Sequence, residues 1–166
     1  MSFDREQPAT RKRIAWYTIA PHLAILLTLV VLTWRVILPN DFRHASIYAT
    51  LLYLLYSFGS KSFLLRHHQR GIYLTKLGSF QDAISAFGLS YEFLEKYPWL
   101  DKYRCVTLLD SSAISYREMA LVNIAYTRAQ LNEEAASLAC YRRALEQFPE
   151  SEMAKEGVEY IQERSE

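Results

Sequence analysis

Cysteine is scarce in this chain, and what there is sits poorly for chemistry. Cys105 and Cys140 are the only two, far apart, with neither a CxxC pair nor a His-x-x-x-His beside them. Neither a zinc site nor a disulfide framework is expected, and both side chains are read as free thiols packed as small apolar groups. Concentrated positive charge is missing from the C-terminal part, where residues 66–166 hold twelve Lys/Arg against fifteen Asp/Glu without a basic stripe. A nucleic-acid surface needs clustered cations to displace phosphate counterions, so DNA and RNA are not expected as partners. Glycine is sparse, five in the chain. The one segment with the look of a phosphate loop, FGSKS at Phe58 to Ser62, lacks the earlier glycine of the motif and does not follow a strand.

Side-chain constellations for catalysis are equally thin. His67 and His68 are neighbours whose side chains would point apart on a helix, with no Asp, Glu or His at a matching spacing, so a cationic collar at a membrane surface is favoured over a metal site. Asp110, Ser111 and Ser112 could be drawn into a triad with a distant histidine, but helix capping accounts for the cluster more simply. No catalytic residue, cofactor or metal is expected, and the chain is not read as an enzyme.

What is present begins with two long apolar runs. At 166 residues there is room for one modest domain and accessory segments. Ile14 to Trp34 carries no formal charge and as a helix would extend ~31 Å, about one hydrocarbon core. Cleavage as a signal peptide is disfavoured by its length and by the lack of a small-x-small site before Arg35. Pro21 and His22 suit a place near the headgroups. With no acidic residue in either run, a proton-relay role for His22 lacks a partner. The second run, Ala45 to Leu65, is charge-free to Ser60, and Lys61 can extend its amine to the interface. Pro39, Asn40 and Asp41 supply a turn too short for a domain, so the runs are expected to form an antiparallel transmembrane hairpin over residues 14–65, after a basic tail, residues 1–13. Ala45, Ala49, Ser57 and Gly59 would let its helices approach closely. Residues 1–65 carry seven Lys/Arg against three Asp/Glu, mostly outside the runs. By the positive-inside bias both termini are expected on the cytoplasmic side of an inner (plasma) membrane. No proline falls between Ala45 and Leu77, and one unbroken helix of ~50 Å is predicted there.

Beyond Arg66 the apolar period becomes that of amphipathic helices. Phe80, Ala83, Ile84, Phe87, Tyr91 and Leu94 recur at steps of three and four. Gly78 and Ser79 mark a stop and a start before them. Farther on, Ser111 or Ser112 is expected to cap a helix bearing Leu121, Ile124 and Ala125. Asn132 interrupts it, and Leu138, Tyr141, Ala144, Leu145 and Phe148 form the apolar face of another helix that stops near Pro149. Ala154, Val158 and Ile161 should face inward from a polar C-terminal capping helix. The aromatics Tyr91, Phe93, Tyr97, Trp99 and Tyr103 are read mainly as core, with membrane or partner contact as alternatives.

In EMALVNIAYTRAQLNEEAASLACYRRALEQFP the chain resembles the tetratricopeptide repeat family. Asn123, Ile124 and Ala125 stand in its Asn-Leu-Gly segment, and Tyr141, Ala144, Leu145 and Pro149 in its aromatic, Ala-Leu and closing Pro positions. A first unit resembles it through Gly71, Leu74, Gly78, Phe80, Ala83, Ile84 and Phe87, with Ser90 in place of the usual Ala and Pro98 later than the pattern expects. Adjacent repeats recur at about 34 residues, so Gly78 and Asn132 imply an insertion of roughly twenty residues, placed near 98–110. The resemblance implies an all-α repeat domain over 66–166 in which Gly71, Gly78, Ala83, Phe87, Ala125, Tyr141, Ala144 and Pro149 serve repeat packing. It also implies a partner-binding groove on the first helix of each pair, lined by His68, Ile72, Lys76, Met119, Val122, Tyr126 and Gln130. The family's basic clamp for a terminal carboxylate is not reproduced, since Val122 and Tyr126 stand where its polar contacts would be. The expected function is that of a membrane-anchored adaptor or assembly factor, with a protein partner and the lipid bilayer as its contacts. The alternative is a structural accessory subunit of a larger membrane complex.

Overall fold

The structure, a computed structural model, describes residues 19–110 and 112–165. The basic tail, the first residues of the first apolar run and Ser111 lie outside the described residues. Those described are helical, with no strand among them. Helix α1, Ile19–Leu32, passes into a π-helical turn, Thr33–Ile37, in which the Leu38 amide donates back to the Thr33 carbonyl at 3.0 Å. Among the described helices only Ile19–Ile37 is long and apolar enough to cross a membrane by length and composition.

Helix α2, Phe42–Leu64, starts at Asp41, whose carboxylate accepts from the His44 amide at 3.0 Å, a capping bond at the positive end of the helix. It packs on α1 through Ala45 and Ala49, both fully buried, because the absence of a long side chain lets the backbones come close. Ser57 is half-buried, and Gly59 is exposed with nothing near its missing Cβ, so the expectation of close approach does not extend to Gly59. Tyrosines, serines and Lys61 lower the hydropathy of α2 relative to α1.

Helix α3, Arg66–Lys76, follows after a single residue. The expected unbroken helix from Ala45 to Leu77 is therefore divided at Leu65, which is buried with φ −102 and ψ 16. Backbone bonding persists on both sides, Leu65 donating to Lys61 and accepting from Gln69, so the joint is a bend and not a tether. The apolar Leu65 side chain is buried at the joint, which stabilises it there.

Helix α3 pairs with α4, Phe80–Lys96, which in turn packs on α7, Tyr116–Gln130. Helix α7 pairs with α8, Glu134–Gln147, and α9, Glu152–Ser165, covers α8 and α7. Two short helices, α5 (Pro98–Lys102) and α6 (Arg104–Thr107), interrupt the succession. Gly78 sits at φ +76 after α3 and Asn132 at φ +59 after α7, the left-handed backbone that closes a helix and that these residue types tolerate best. Gly71 faces the Phe87 ring so closely that a Cβ would lie 2.6 Å from it. At Gly157 a Cβ would overlap the Tyr141 ring. Each glycine thus makes room for a buried aromatic, Phe87 or Tyr141. Ala83, Ala125 and Ala144 are fully buried, and the Ser137 hydroxyl donates to the Ala125 carbonyl across the α7–α8 pair at 2.8 Å. Pro149 is exposed and lies just past the end of α8. Ala154 and Ile161 are buried and Val158 packs against the same core, as the C-terminal pattern predicts.

Replacing Ala125 with leucine should lower stability by about 1–3 kcal/mol, since the added carbons have no space between α7 and α8. Thermal unfolding of the protein in detergent checks this. Equal midpoints for parent and variant would show that the crossing can relax.

Candidate functional site

The groove expected on α3 and α7 is only partly open. Ile72 and Lys76 are exposed, and Tyr126 and Gln130 are half-buried. His68, Met119 and Val122 are buried at 4%, 8% and 4% exposure, so these three are corrected from groove lining to core. His68 is covered by the rings of Phe87 and Tyr116, and Val122 belongs to the core cluster with Tyr91, Ala125 and Tyr141. What remains open is a depression of about 40 Å³ lined by Ile72, Thr75, Lys76, Phe87, Asn123, Tyr126 and Thr127. Small-molecule sites run to several hundred cubic ångströms, so this one suits at most a single protruding side chain or a water or two. Two of its hydroxyls are already committed, Thr75 to the Gly71 carbonyl at 2.9 Å and Thr127 to that of Asn123 at 2.6 Å. Its polar reach toward a partner comes from Lys76 and Asn123, and its apolar contact from Ile72.

His68 lies one turn before Ile72 on α3 and does not line the depression. Its ring meets Phe87 and Tyr116 edge-on, with centroids 5.5 and 5.4 Å away, and Nδ1 has no hydrogen-bond partner. Burial holds the imidazole down to about 4, against the weaker opposing pull of the Asp101 carboxylate. It is therefore neutral at pH 7, and the cationic collar expected at His67 and His68 loses His68, with Arg66 and Arg70 as the neighbouring permanent cations. The exposed collar residues are Arg66 and Arg70, with His67 half-buried.

A buried polar cluster beside His68 is organised by two acidic residues of the insertion. Asp101, 4% exposed, accepts from the Ser115 hydroxyl at 2.6 Å and from the Tyr116 and Arg117 amides at 3.0 and 3.2 Å. Its charge lies at the N-terminus of α7, where unpaired amides and the helix dipole favour an anion. Ser115 in turn caps α7, accepting from the Glu118 amide at 3.3 Å. The cap is therefore Ser115 and not Ser111 or Ser112. Arg104 ties down the approach, donating to the carbonyls of Asp101, Ser112 and Ala113 at 3.1, 2.9 and 3.0 Å. Asp110 accepts from the Tyr116 hydroxyl at 3.0 Å and lies 3.6 Å from Lys61 Nζ of α2. Burial, then the Asp110 charge, raises the Tyr116 phenol well above its ordinary range. The Tyr56 hydroxyl of α2 donates to the Thr107 carbonyl at 3.1 Å, and α6 touches α1. The insertion is thus fastened to the start of α7 on one side and to α1 and α2 on the other.

These groups bond to one another, to backbone amides and carbonyls, and to α2. The Asp110 carboxylate is engaged by a phenol and an ammonium and has no histidine partner among the described residues. Cys105 and Cys140 are free and half-buried; burial pushes the Cys140 thiol up. Among the described residues no group of three or more His, Cys, Asp or Glu is placed to hold a metal ion. The aromatic series divides: Tyr91 is buried, Phe93 half-buried, and Tyr97, Trp99 and Tyr103 exposed. The expectation of core is corrected for those last three, because α5 and α6 turn Leu100, Asp101 and Leu108 inward instead. The Tyr91 hydroxyl bonds to Glu95 within α4 and ties α4 to Gln147 of α8. Comparison with known proteins finds no matching family model, no matching curated protein and no matching solved structure.

Proposed function

We propose that this chain is a membrane-anchored protein-interaction adaptor or assembly factor. In this proposal α1 and α2 form a transmembrane hairpin in an inner membrane, both termini are cytoplasmic, and α3 to α9 are a cytoplasmic tetratricopeptide-like domain. The observation that carries the proposal is the contrast between the two parts of the chain. Helices α1 and α2 leave Leu23, Leu27, Leu32, Leu51, Leu55 and Phe58 more than half exposed, whereas α3, α4, α7, α8 and α9 pack in succession around a buried core. So much apolar surface on two adjoining helices needs a nonaqueous cover. Thr28, Ser46 and Thr50 spend their hydroxyls on carbonyls of their own helices, as a lipid surroundings requires. The depression at Ile72, Lys76 and Tyr126 offers a small, mixed contact for a protein partner.

The alternative, an accessory subunit of a larger membrane complex, is favoured by one observation: the groove is closed by His68, Met119 and Val122 and too shallow to grip a peptide alone. Purification in mild detergent separates the two. A lone monomer or small oligomer supports the adaptor, and a stoichiometric companion supports the subunit.

The hairpin topology is expected to give the same cytoplasmic signal from reporters fused at either terminus and the opposite signal from one placed at Asn40. Opposite signals at the two termini would leave α1 as a single span with α2 on the surface.

A further inference from the structure

The insertion and the end of α4 present an aromatic and basic surface, in which the Tyr97 ring also meets Phe93 of α4. Tyr97, Trp99, Tyr103 and Val106 are 38%, 53%, 53% and 47% exposed. Two exposed lysines accompany them, with Lys96 Nζ 5.6 Å from the centre of the Tyr97 ring and Lys102 Nζ 5.6 Å from that of Tyr103. The insertion that carries these residues is joined to the apolar helices: α6 touches α1, Tyr56 of α2 bonds to Thr107, and Lys61 of α2 approaches Asp110. Tyr56 stands about 12 Å along the helix axis before the end of α2 at Leu64. A bilayer that receives α2 therefore meets the insertion as well.

We propose that Tyr97, Trp99, Tyr103 and Val106, with Lys96 and Lys102, form a second membrane contact lying in the headgroup layer and taking anionic phospholipid headgroups. The composition fits that layer. Indole and phenol rings combine an apolar body with a polar edge and collect at the membrane–water boundary, and lysines there reach lipid phosphates. In α5 the exposed Trp99 stands beside buried Leu100 and Asp101, and Leu108 is buried at the end of α6, so both short helices can lie against such a surface while these side chains are held by the protein. A soluble partner would have to reach this patch past the lipid that α1 and α2 require. With the α2–α3 joint on one side and the insertion on the other, the helical domain would stand on two supports and hold its open depression at one orientation to the membrane.

This inference rests on the membrane anchoring proposed above, and the test keeps the two apart. Trp99 becomes the sole tryptophan of the full chain through Trp16→Phe and Trp34→Phe, since the sequence has three. The protein is reconstituted in phosphatidylcholine vesicles containing phosphatidylglycerol, with or without bromine on the acyl chains near the carbonyl. Trp99 emission is expected to fall about twofold in the brominated vesicles and to resist aqueous acrylamide. Lys96→Gln with Lys102→Gln should weaken the quenching in phosphatidylglycerol vesicles toward its value in pure phosphatidylcholine. Unchanged emission with brominated lipid would overturn the inference, whether acrylamide reaches Trp99, which then faces water, or does not, which then means that protein covers it. Release of the chain from vesicles at alkaline pH would overturn the anchoring and this contact together. Retention with unquenched Trp99 would overturn the contact alone.

Discussion

Asp101→Ala should destabilise the protein by about 3 kcal/mol, because it strips a buried acceptor from three donors at once. The Ser115 hydroxyl and the Tyr116 and Arg117 amides all converge on that carboxylate. Each lies in partly buried surroundings where water replaces the lost partner poorly. The negative charge that complements the start of α7 goes with it. Asp101→Asn retains one carbonyl oxygen and should lose about half as much, separating the hydrogen bonds from the charge. Because Arg104 and Asp110 hold the same loop, loosening at Asp101 should spread to α6, where half-buried Cys105 reports it. Maleimide labelling of Cys105, read by peptide mapping, is expected to be faster in Asp101→Ala than in the parent at a temperature where both are folded. Unchanged unfolding midpoints and an unchanged labelling rate would mean that solvent takes over the role of the carboxylate.

The helices of the C-terminal part were legible wherever the apolar period was strong. Phe87, Tyr91 and Leu94 on α4 and Tyr141 and Ala144 on α8 are buried, because burial of one face dominates over weaker local preferences. The stops were equally legible, since Gly78 and Asn132 can take the left-handed backbone that most residues avoid. The start of α7 was within reach but misplaced. Ser115 and Glu118 have the spacing of a capping box, and the Glu118 amide does bond to Ser115, but Ser111 and Ser112 draw the assignment upstream. The roles of Asp101 and Asp110 were not legible, because they depend on where a nonperiodic segment folds back. Nothing in PWLDKYRCVTLLD says that the first aspartate meets α7 while the second meets Tyr116 and Lys61. The groove suffered from the same blindness: helical spacing puts His68, Ile72 and Lys76 on one face of α3, but the rings of Phe87 and Tyr116, from other helices, close over His68 alone. The bend at Leu65 lacks a sequence signal as well, since neither proline nor glycine marks it.

Acidification should expose the cost of burying His68. The imidazole is held at about 4 by burial, below its ordinary value of 6.5, so in that window the unfolded chain binds a proton that the folded chain refuses. Stability therefore falls as pH drops from about 6.5 toward 4, and the full loss, reached below 4, is about 3 kcal/mol. Between pH 7 and pH 5 the share expected from this one group is about 2 kcal/mol. Glu118 works in the opposite sense: burial raises its carboxyl, so the folded state takes up a proton more readily than the unfolded one and gains stability on acidification. The parent curve alone mixes these contributions. His68→Met keeps a long apolar side chain against Phe87 and Tyr116 but cannot titrate, and the other three histidines and Glu118 are common to both proteins. Urea unfolding of parent and variant in the same detergent at pH 7 and pH 5 should then show the parent losing about 2 kcal/mol more than the variant. Parallel losses would mean that His68 reaches water or a hydrogen-bond acceptor in the folded protein.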